Sequence, residues 1–246
     1  ASDDGGLNCY SPKDKQFIHY MPNESRNSLS YHNVHALCLD KDNLWIGTYT
    51  GGVNVLNTKT GVFKVYTTDA NDPSTLDGSS SYSIYKDKKE RIWVASMSGI
   101  NLYNRQEDNF VRVKTLGALT IDIDEDREGY IWFSTQGRGL FKYDPEMQIW
   151  KNYTDTGKAG ELRNNQVNCA HVDSNGDMWV GTMSGLCKYN VSKDVFEQIS
   201  LDIPSRNICS IIEDQGVLWL TTTRGLVRYT PKEGCQVFTK SDGLQS

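Results

Sequence analysis

Three observations predict an all-β protein. A tryptophan recurs at Trp45, Trp93, Trp132, Trp179 and Trp219, with spacings of 48, 39, 47 and 40 residues. Six or seven residues after each stands a glycine (Gly52, Gly99, Gly139, Gly185, Gly225), followed four residues later by Tyr103, Tyr143, Tyr189 or Tyr229, with Leu56 in the first copy. Between these marks, short apolar segments are bounded by turn residues, which is the signature of strands. A repeat of roughly 40 residues with four antiparallel strands buries its two faces only against neighbours, and radial stacking gives a β-propeller.

The elements follow in order. In the fourth copy the strands are "VNCAHVD", "MWVGT", "LCKYN" and "FEQIS", joined by "SNGD", "MSG" and "VSKD". Glycine and asparagine recur at such turns because the backbone there needs positive φ or a close approach. A large apolar residue marks the fourth strand at Phe63, Phe110, Trp150 and Phe196, and the last copy offers Cys235 and Phe238. These residues, with the Trp and Tyr marks, are expected to fill the space between sheets. Residues 5–34 match only the last two strands of a unit, with Gly6, Tyr10 and Phe17 at the right offsets; full units follow at 35–80, 81–117, 118–164, 165–205 and 206–246. About five and a half blades are predicted, a partial and open propeller cut from a longer array. Its unpaired edges favour association with another chain.

Composition removes several function classes. With 26 basic and 31 acidic residues and no Lys/Arg cluster, the chain lacks the footprint of a nucleic-acid or anionic-membrane binder. No apolar run approaches the roughly 20 residues of a membrane helix, and the N-terminus lacks a signal-peptide pattern. The six cysteines (Cys9, Cys38, Cys169, Cys187, Cys209, Cys235) form no CxxC pair, and no histidine lies at metal-motif spacing from two of them, so neither metal nor cofactor is expected. Cys38, Cys169 and Cys209 lie in apolar strands and read as buried free thiols, with disulfides as the alternative.

Catalytic motifs are missing. The histidines are His19, His32, His35 and His171, and only the "YHNVH" pair is clustered. There is no HExxH, no GxSxG and no phosphate-cradling loop entering a helix. "DSNGD" spaces Asp173, Asn175 and Asp177 as a calcium loop would, but lacks the glycine and glutamate that complete such a site, so it reads as a turn.

A ligand is expected on the face that carries the turns between strands two and three and the loops from strand four to the next strand one. Loops on a rigid scaffold commonly carry function. The turns offer Tyr49, Met97, Gln136, Arg138, Met183 and Arg224, so this position changes while the frame repeats. The loops "MPNESRNSLSYHN", which contributes Tyr31 and His32, "DANDPSTLDGSSSY" and "TDTGKAGELRNNQ" add amides and hydroxyls. Such groups suit a sugar, through aromatic stacking and bidentate hydrogen bonds. The candidates are Tyr49, Arg138 and Arg224, then Gln136, Tyr31 and His32.

The units "DSNGDMWVGTMSGLCKY", "DREGYIWFSTQGRGLFKY" and "DKDNLWIGTYTGGVNVL" fit D-x-x-G-x-x-W-x-G-T-x-x-G-L-x-x-Y. This pattern resembles the two-component-regulator propeller repeat, which builds the extracytoplasmic sensor regions of hybrid two-component regulators in gut Bacteroidetes and their relatives. The resemblance implies a non-catalytic periplasmic segment of a dimeric receptor with a second propeller, a β-sandwich, a membrane helix, a histidine kinase and response-regulator parts. It also implies detection of an oligosaccharide that switches on polysaccharide use. The alternatives are a propeller enzyme, as in streptogramin-type lyases, and a protein-interaction scaffold. An enzyme needs histidines and acids converging from several sheets, whereas His32 and His35 come from one.

Overall fold

The computed structural model describes residues 4–25 and 27–244, which form antiparallel strands and one 3-10 turn at Lys240–Asp242. β1 (Leu7–Ser11) and β2 (Gln16–Tyr20) make a two-stranded half-sheet. Five four-stranded sheets follow among the described residues, each with its strands paired in chain order. The first holds β3 (Val34–Asp40), β4 (Asn43–Thr48), β5 (Val53–Asn57) and β6 (Phe63–Tyr66). The second holds β7 (Ser81–Lys86), β8 (Ile92–Ser96), β9 (Gly99–Asn104) and β10 (Asn109–Thr115). The third holds β11 (Thr120–Glu125), β12 (Ile131–Thr135), β13 (Leu140–Asp144) and β14 (Ile149–Tyr153). β15 (Val167–Val172), β16 (Met178–Thr182), β17 (Gly185–Asn190) and β18 (Val195–Ile199) form the fourth. β19 (Ile208–Asp214), β20 (Val217–Thr222), β21 (Gly225–Thr230) and β22 (Gly234–Phe238) form the fifth. These sheets are the blades of a β-propeller. They group into two compact units divided between Thr120 and Ile121, at the start of β11.

Repeated polar contacts explain the motif. The last residue of each second strand is Thr or Ser, and its hydroxyl donates to the carbonyl of the glycine across the turn: Thr48 to Gly52, Ser96 to Gly99, Thr135 to Gly139, Thr182 to Gly185 and Thr222 to Gly225, at 2.6 to 3.0 Å. Gly52 (φ 73°) and Gly139 (φ 77°) have left-handed backbones and sit so close to the fourth strand that a Cβ would meet the Tyr66 or Tyr153 carbonyl oxygen at 2.1 and 2.0 Å. Conformation and space both demand glycine there.

The turn between strands one and two comes in two lengths. In the longer form an aspartate six residues before the Trp accepts the indole N–H: Asp87 from Trp93 at 2.8 Å, Asp126 from Trp132 at 2.7 Å and Asp173 from Trp179 at 2.9 Å. The other oxygen of each accepts two backbone N–H groups of its own turn. The "DSNGD" carboxylate is therefore engaged in holding its turn and its Trp, as in two sister copies. In the shorter form Asp40 pairs across the ladder with Asn43 and Asp214 with Val217, one residue nearer the Trp. Trp45 then has no hydrogen-bond partner for its buried Nε1 among the described residues.

Apolar layers lie between neighbouring sheets. Trp45, Val53, Ile84, Ile92 and Phe110 join the first and second sheets; Trp132, Leu140, Val180, Tyr189 and Phe196 join the third and fourth; Trp179, Leu186, Ile208 and Leu220 join the fourth and fifth. Several marks depart from a full core role. Trp219 and Tyr103 are half-buried, as is Trp150, which stacks on Tyr143 at 4.3 Å. Tyr10 and Phe17 are exposed on the half-sheet, covering each other at 5.0 Å. All six cysteines are free. Cys169 is buried and Cys38 half-buried, but Cys209 is exposed, correcting its expected burial. It is the extra residue of a β-bulge between Ile208 and Ser210, and a bulge turns its side chain out of the alternating pattern.

Trp132→Phe and Trp45→Phe remove the same volume, but only the first leaves a buried carboxylate short of a donor. We expect Trp132→Phe to destabilise by about 1–3 kcal/mol more than Trp45→Phe, measured by denaturant unfolding; equal losses would refute a stabilising role for the Asp–Trp bond.

Candidate functional site

The loops expected to share a face are bonded to one another. In the first unit the Tyr49 N–H donates to the Asn33 carbonyl and the Gly52 N–H to Ser79, so the β4–β5 turn is tied to the loop before its own sheet and to the loop before the next. In the second unit Gly137 and Gly139 donate to Asn165, Met183 donates to Gln166, and Gln136 bridges Gln166. This network fixes the turn backbones while leaving their side chains variable.

In the first unit the structure brings Tyr31, His32 and Tyr49 together. The Tyr31 and His32 rings stack at 4.3 Å, Tyr49 lies 6.4 Å from Tyr31, and His32 Nε2 is 3.0 Å from the Asp4 carboxylate. Two further rings extend the group: His35 lies 5.8 Å from Tyr49 and 4.6 Å from Tyr82. His35 and Tyr82 are bulge residues, skipped in the ladders between Val34 and Ala36 and between Ser81 and Ser83. The bulge re-aims each side chain toward the cluster. Tyr82 was not among the candidates read from sequence, because bulges leave no mark in apolar alternation.

The second unit keeps its candidates apart. Gln136 and Arg138 lie on the β12–β13 turn, and Arg138 is exposed. Arg224, also exposed, lies on the β20–β21 turn, where its backbone N–H donates to Thr222 and where it lines a cavity of about 760 Å³ with Thr239 and Lys240. No contact joins Arg138 to Arg224 among the described residues. No group of three or more His, Cys, Asp or Glu residues able to hold a metal ion occurs among them either.

The first strands carry a different device. Asp122 and Asp124 on β11 accept the backbone N–H groups of Ala170 and Val172 on β15, each at 2.9 Å. Both are edge strands, and the carboxylates satisfy N–H groups that would otherwise be open to another chain. Burial pushes the Asp122 carboxyl up to about 7, with the Asp124 charge adding to the rise and the Ala170 bond opposing it. His171 Nδ1 lies 4.0 Å from Asp124.

Residues 28–50 and 161–184 match the family model described as two component regulator propeller. The match covers two segments of the chain, one in the first unit and one in the second. A histidine kinase P4 of Formosa agariphila is 28% identical over 197 residues, which cover 74% of this chain and 14% of that protein. The extracellular domain of a protein described as a hybrid two component system of B. thetaiotaomicron superposes with a TM-score of 0.81 at 23% identity, covering 96% of this chain and 32% of that one. Virginiamycin B lyase from Staphylococcus aureus shares the fold more distantly, with a TM-score of 0.66 at 12% identity over 84% of this chain and 70% of the lyase. The chain thus spans a minor part of the histidine kinase and of the hybrid two component system's extracellular domain. No described helix is long and apolar enough to cross a membrane.

The raised Asp122 carboxyl has a stability consequence. The folded state holds this proton more tightly than the unfolded chain, whose ordinary value is 3.8, so the contribution of Asp122 to stability declines as pH rises from there through about 7. We expect Asp122→Asn to flatten this part of the stability–pH curve in denaturant unfolding between pH 4 and 8; an unchanged slope would exclude Asp122 as its source.

Proposed function

We propose that this chain is a non-catalytic, ligand-sensing propeller segment of a hybrid two-component receptor, acting in the periplasm and recognising an oligosaccharide as part of a switch for polysaccharide use. The observation that carries this reading is the ring cluster of Tyr31, His32, Tyr49, His35 and Tyr82, held on bonded turns beside Asp4. Aromatic faces flanked by a carboxylate and an imidazole suit the apolar face and hydroxyl edge of a sugar ring. Arg138, Gln136 and Arg224 offer the second unit's hydrogen-bond donors for the same chemistry.

Signalling requires more than binding. A ligand shifts an equilibrium only by its differential affinity for the two states, so the relevant partners are the remaining sensor domains of the same receptor and a second copy in a homodimer. The fold shared with a lyase keeps a propeller enzyme as the second reading. A sugar that is bound and broken down would favour it.

The test is thermal unfolding against plant, host and microbial oligosaccharides, with each mixture checked afterwards for cleavage. A true ligand at a hundredfold excess over its dissociation constant stabilises by roughly 2.7 kcal/mol, and we expect Tyr49→Ala to remove most of that shift while the unliganded midpoint changes little. Alanine at Arg138 and Arg224 tests the second unit separately. An undiminished shift in Tyr49→Ala would discard the ring cluster as the site.

A further inference from the structure

Away from these turns, the junction of the third and fourth sheets contains a cavity of about 500 Å³. Tyr130, Tyr153 and Tyr189 are among the rings that line it, and Met147, Ile149 and Val191, which are 72%, 58% and 60% exposed, are its apolar residues nearest solvent. Its carboxylates are Asp126, Glu128, Asp144 and Asp194, and its cations are Lys142 and Lys151. Lys151 pairs with Asp194, while Lys142 lies 3.8 Å from Asp126 and 3.8 Å from the centre of the Tyr130 ring. Among the described residues no cation pairs with Glu128 or Asp144.

The protein's own repeat shows what such a junction accommodates. Between the first and second sheets, Arg105 follows Asn104 at the end of β9 and reaches back across the junction. It pairs with Asp40 at 2.7 Å and donates twice to the Glu90 carbonyl, at 2.7 and 3.1 Å. In the fourth sheet the residue after the equivalent Asn190 is Val191, and Gly176 stands in the place of Glu90. Asp126 occupies the place of Asp40. Val191 supplies no guanidinium to the second junction, whose cavity keeps acidic and aromatic surroundings. Arg127 lies across Gly176 and donates to the Ser174 carbonyl at 2.6 Å, but it does not line the cavity.

We propose that this cavity is a socket for an arginine side chain presented by a polypeptide partner. The guanidinium enters beside Val191, toward Glu128 and the Asp144 oxygen that does not accept the Glu146 and Met147 N–H groups, and apolar neighbours of the arginine rest on Met147, Ile149 and Val191. A guanidinium fits better than an ammonium because it is planar, stacks on tyrosine faces and forks between carboxylates. Recognition here is separate from the sugar reading, since it uses none of the residues assigned to it.

The experiment measures fluorescence anisotropy of a dye-labelled peptide with one arginine between two leucines, and of its uncharged citrulline counterpart. We expect the intact chain to bind the arginine peptide at least about tenfold more tightly, a ratio that one charge-assisted contact supplies. Val191→Arg refills the socket from within and is expected to weaken peptide binding by about tenfold or more, with the fold preserved by circular dichroism and any oligosaccharide response unchanged. Glu128→Gln combined with Asp144→Asn is expected to reduce the preference for arginine over citrulline without filling the cavity. Equal affinity for the two peptides, no binding of either at millimolar concentration, or full binding by Val191→Arg would overturn the proposal.

Discussion

A cluster of Trp, two Tyr and Phe, closed at its wet edge by an aspartate, is the interaction that holds the paired sheets of each unit together at one junction apiece. Between the first and second sheets Trp45 stacks on Tyr66, Tyr66 and Tyr103 meet Phe110, and both hydroxyls donate to Asp108, which also pairs with Lys64. Between the third and fourth the same places are held by Trp132, Tyr153, Tyr189, Phe196, Asp194 and Lys151. The rings supply apolar area that a lone sheet cannot bury. The aspartate satisfies the hydroxyls that would otherwise be stranded at the rim. Burial acts against its ionisation, yet the bonds from Lys151, Tyr153 and Tyr189 prevail and hold the Asp194 carboxyl near 2.

Once the sheets are fixed in this way, the rest of each unit is released from a packing role in a graded manner. The glycine turns, the Thr hydroxyls and the loop-to-turn hydrogen bonds repeat because backbone geometry repeats. The side chains at the turn tips do not, so Tyr49, Gln136, Arg138 and Arg224 differ while their backbones stay anchored. A bulge at the second residue of the first strand adds another variable position, filled by His35, Tyr82, Asn168 and Cys209 in four of the sheets. The same bulge yields an aromatic cluster in one unit and, at Asn168, an amide bonded to Asn207 and Ile208.

Variation at junctions obeys the same logic. Arg105 and Val191 occupy one place in two copies of a turn: the arginine crosses its junction to Asp40, whereas the valine borders a cavity of about 500 Å³. The difference in turn length between Asp40 and Asp126 is of the same kind: one residue more lets the carboxylate reach the indole, and one fewer commits it to Arg105 and Lys86 instead.

The sequence by itself determined the strands, their grouping in fours and the propeller class, because period-two alternation and a repeat near 40 residues are local and cumulative signals. It also placed Tyr31, His32 and Tyr49 on loops of one face, where the structure joins them. The tertiary structure alone decided which rings complete that cluster, that Cys209 turns outward, that Trp219 is only half-covered, and that Arg138 and Arg224 stand apart. Each of these depends on a bulge, on which sheet lies opposite, or on one residue in a turn. Such features shift a side chain by a single ladder position or one junction, a change that leaves the apolar pattern intact while redirecting what the side chain meets.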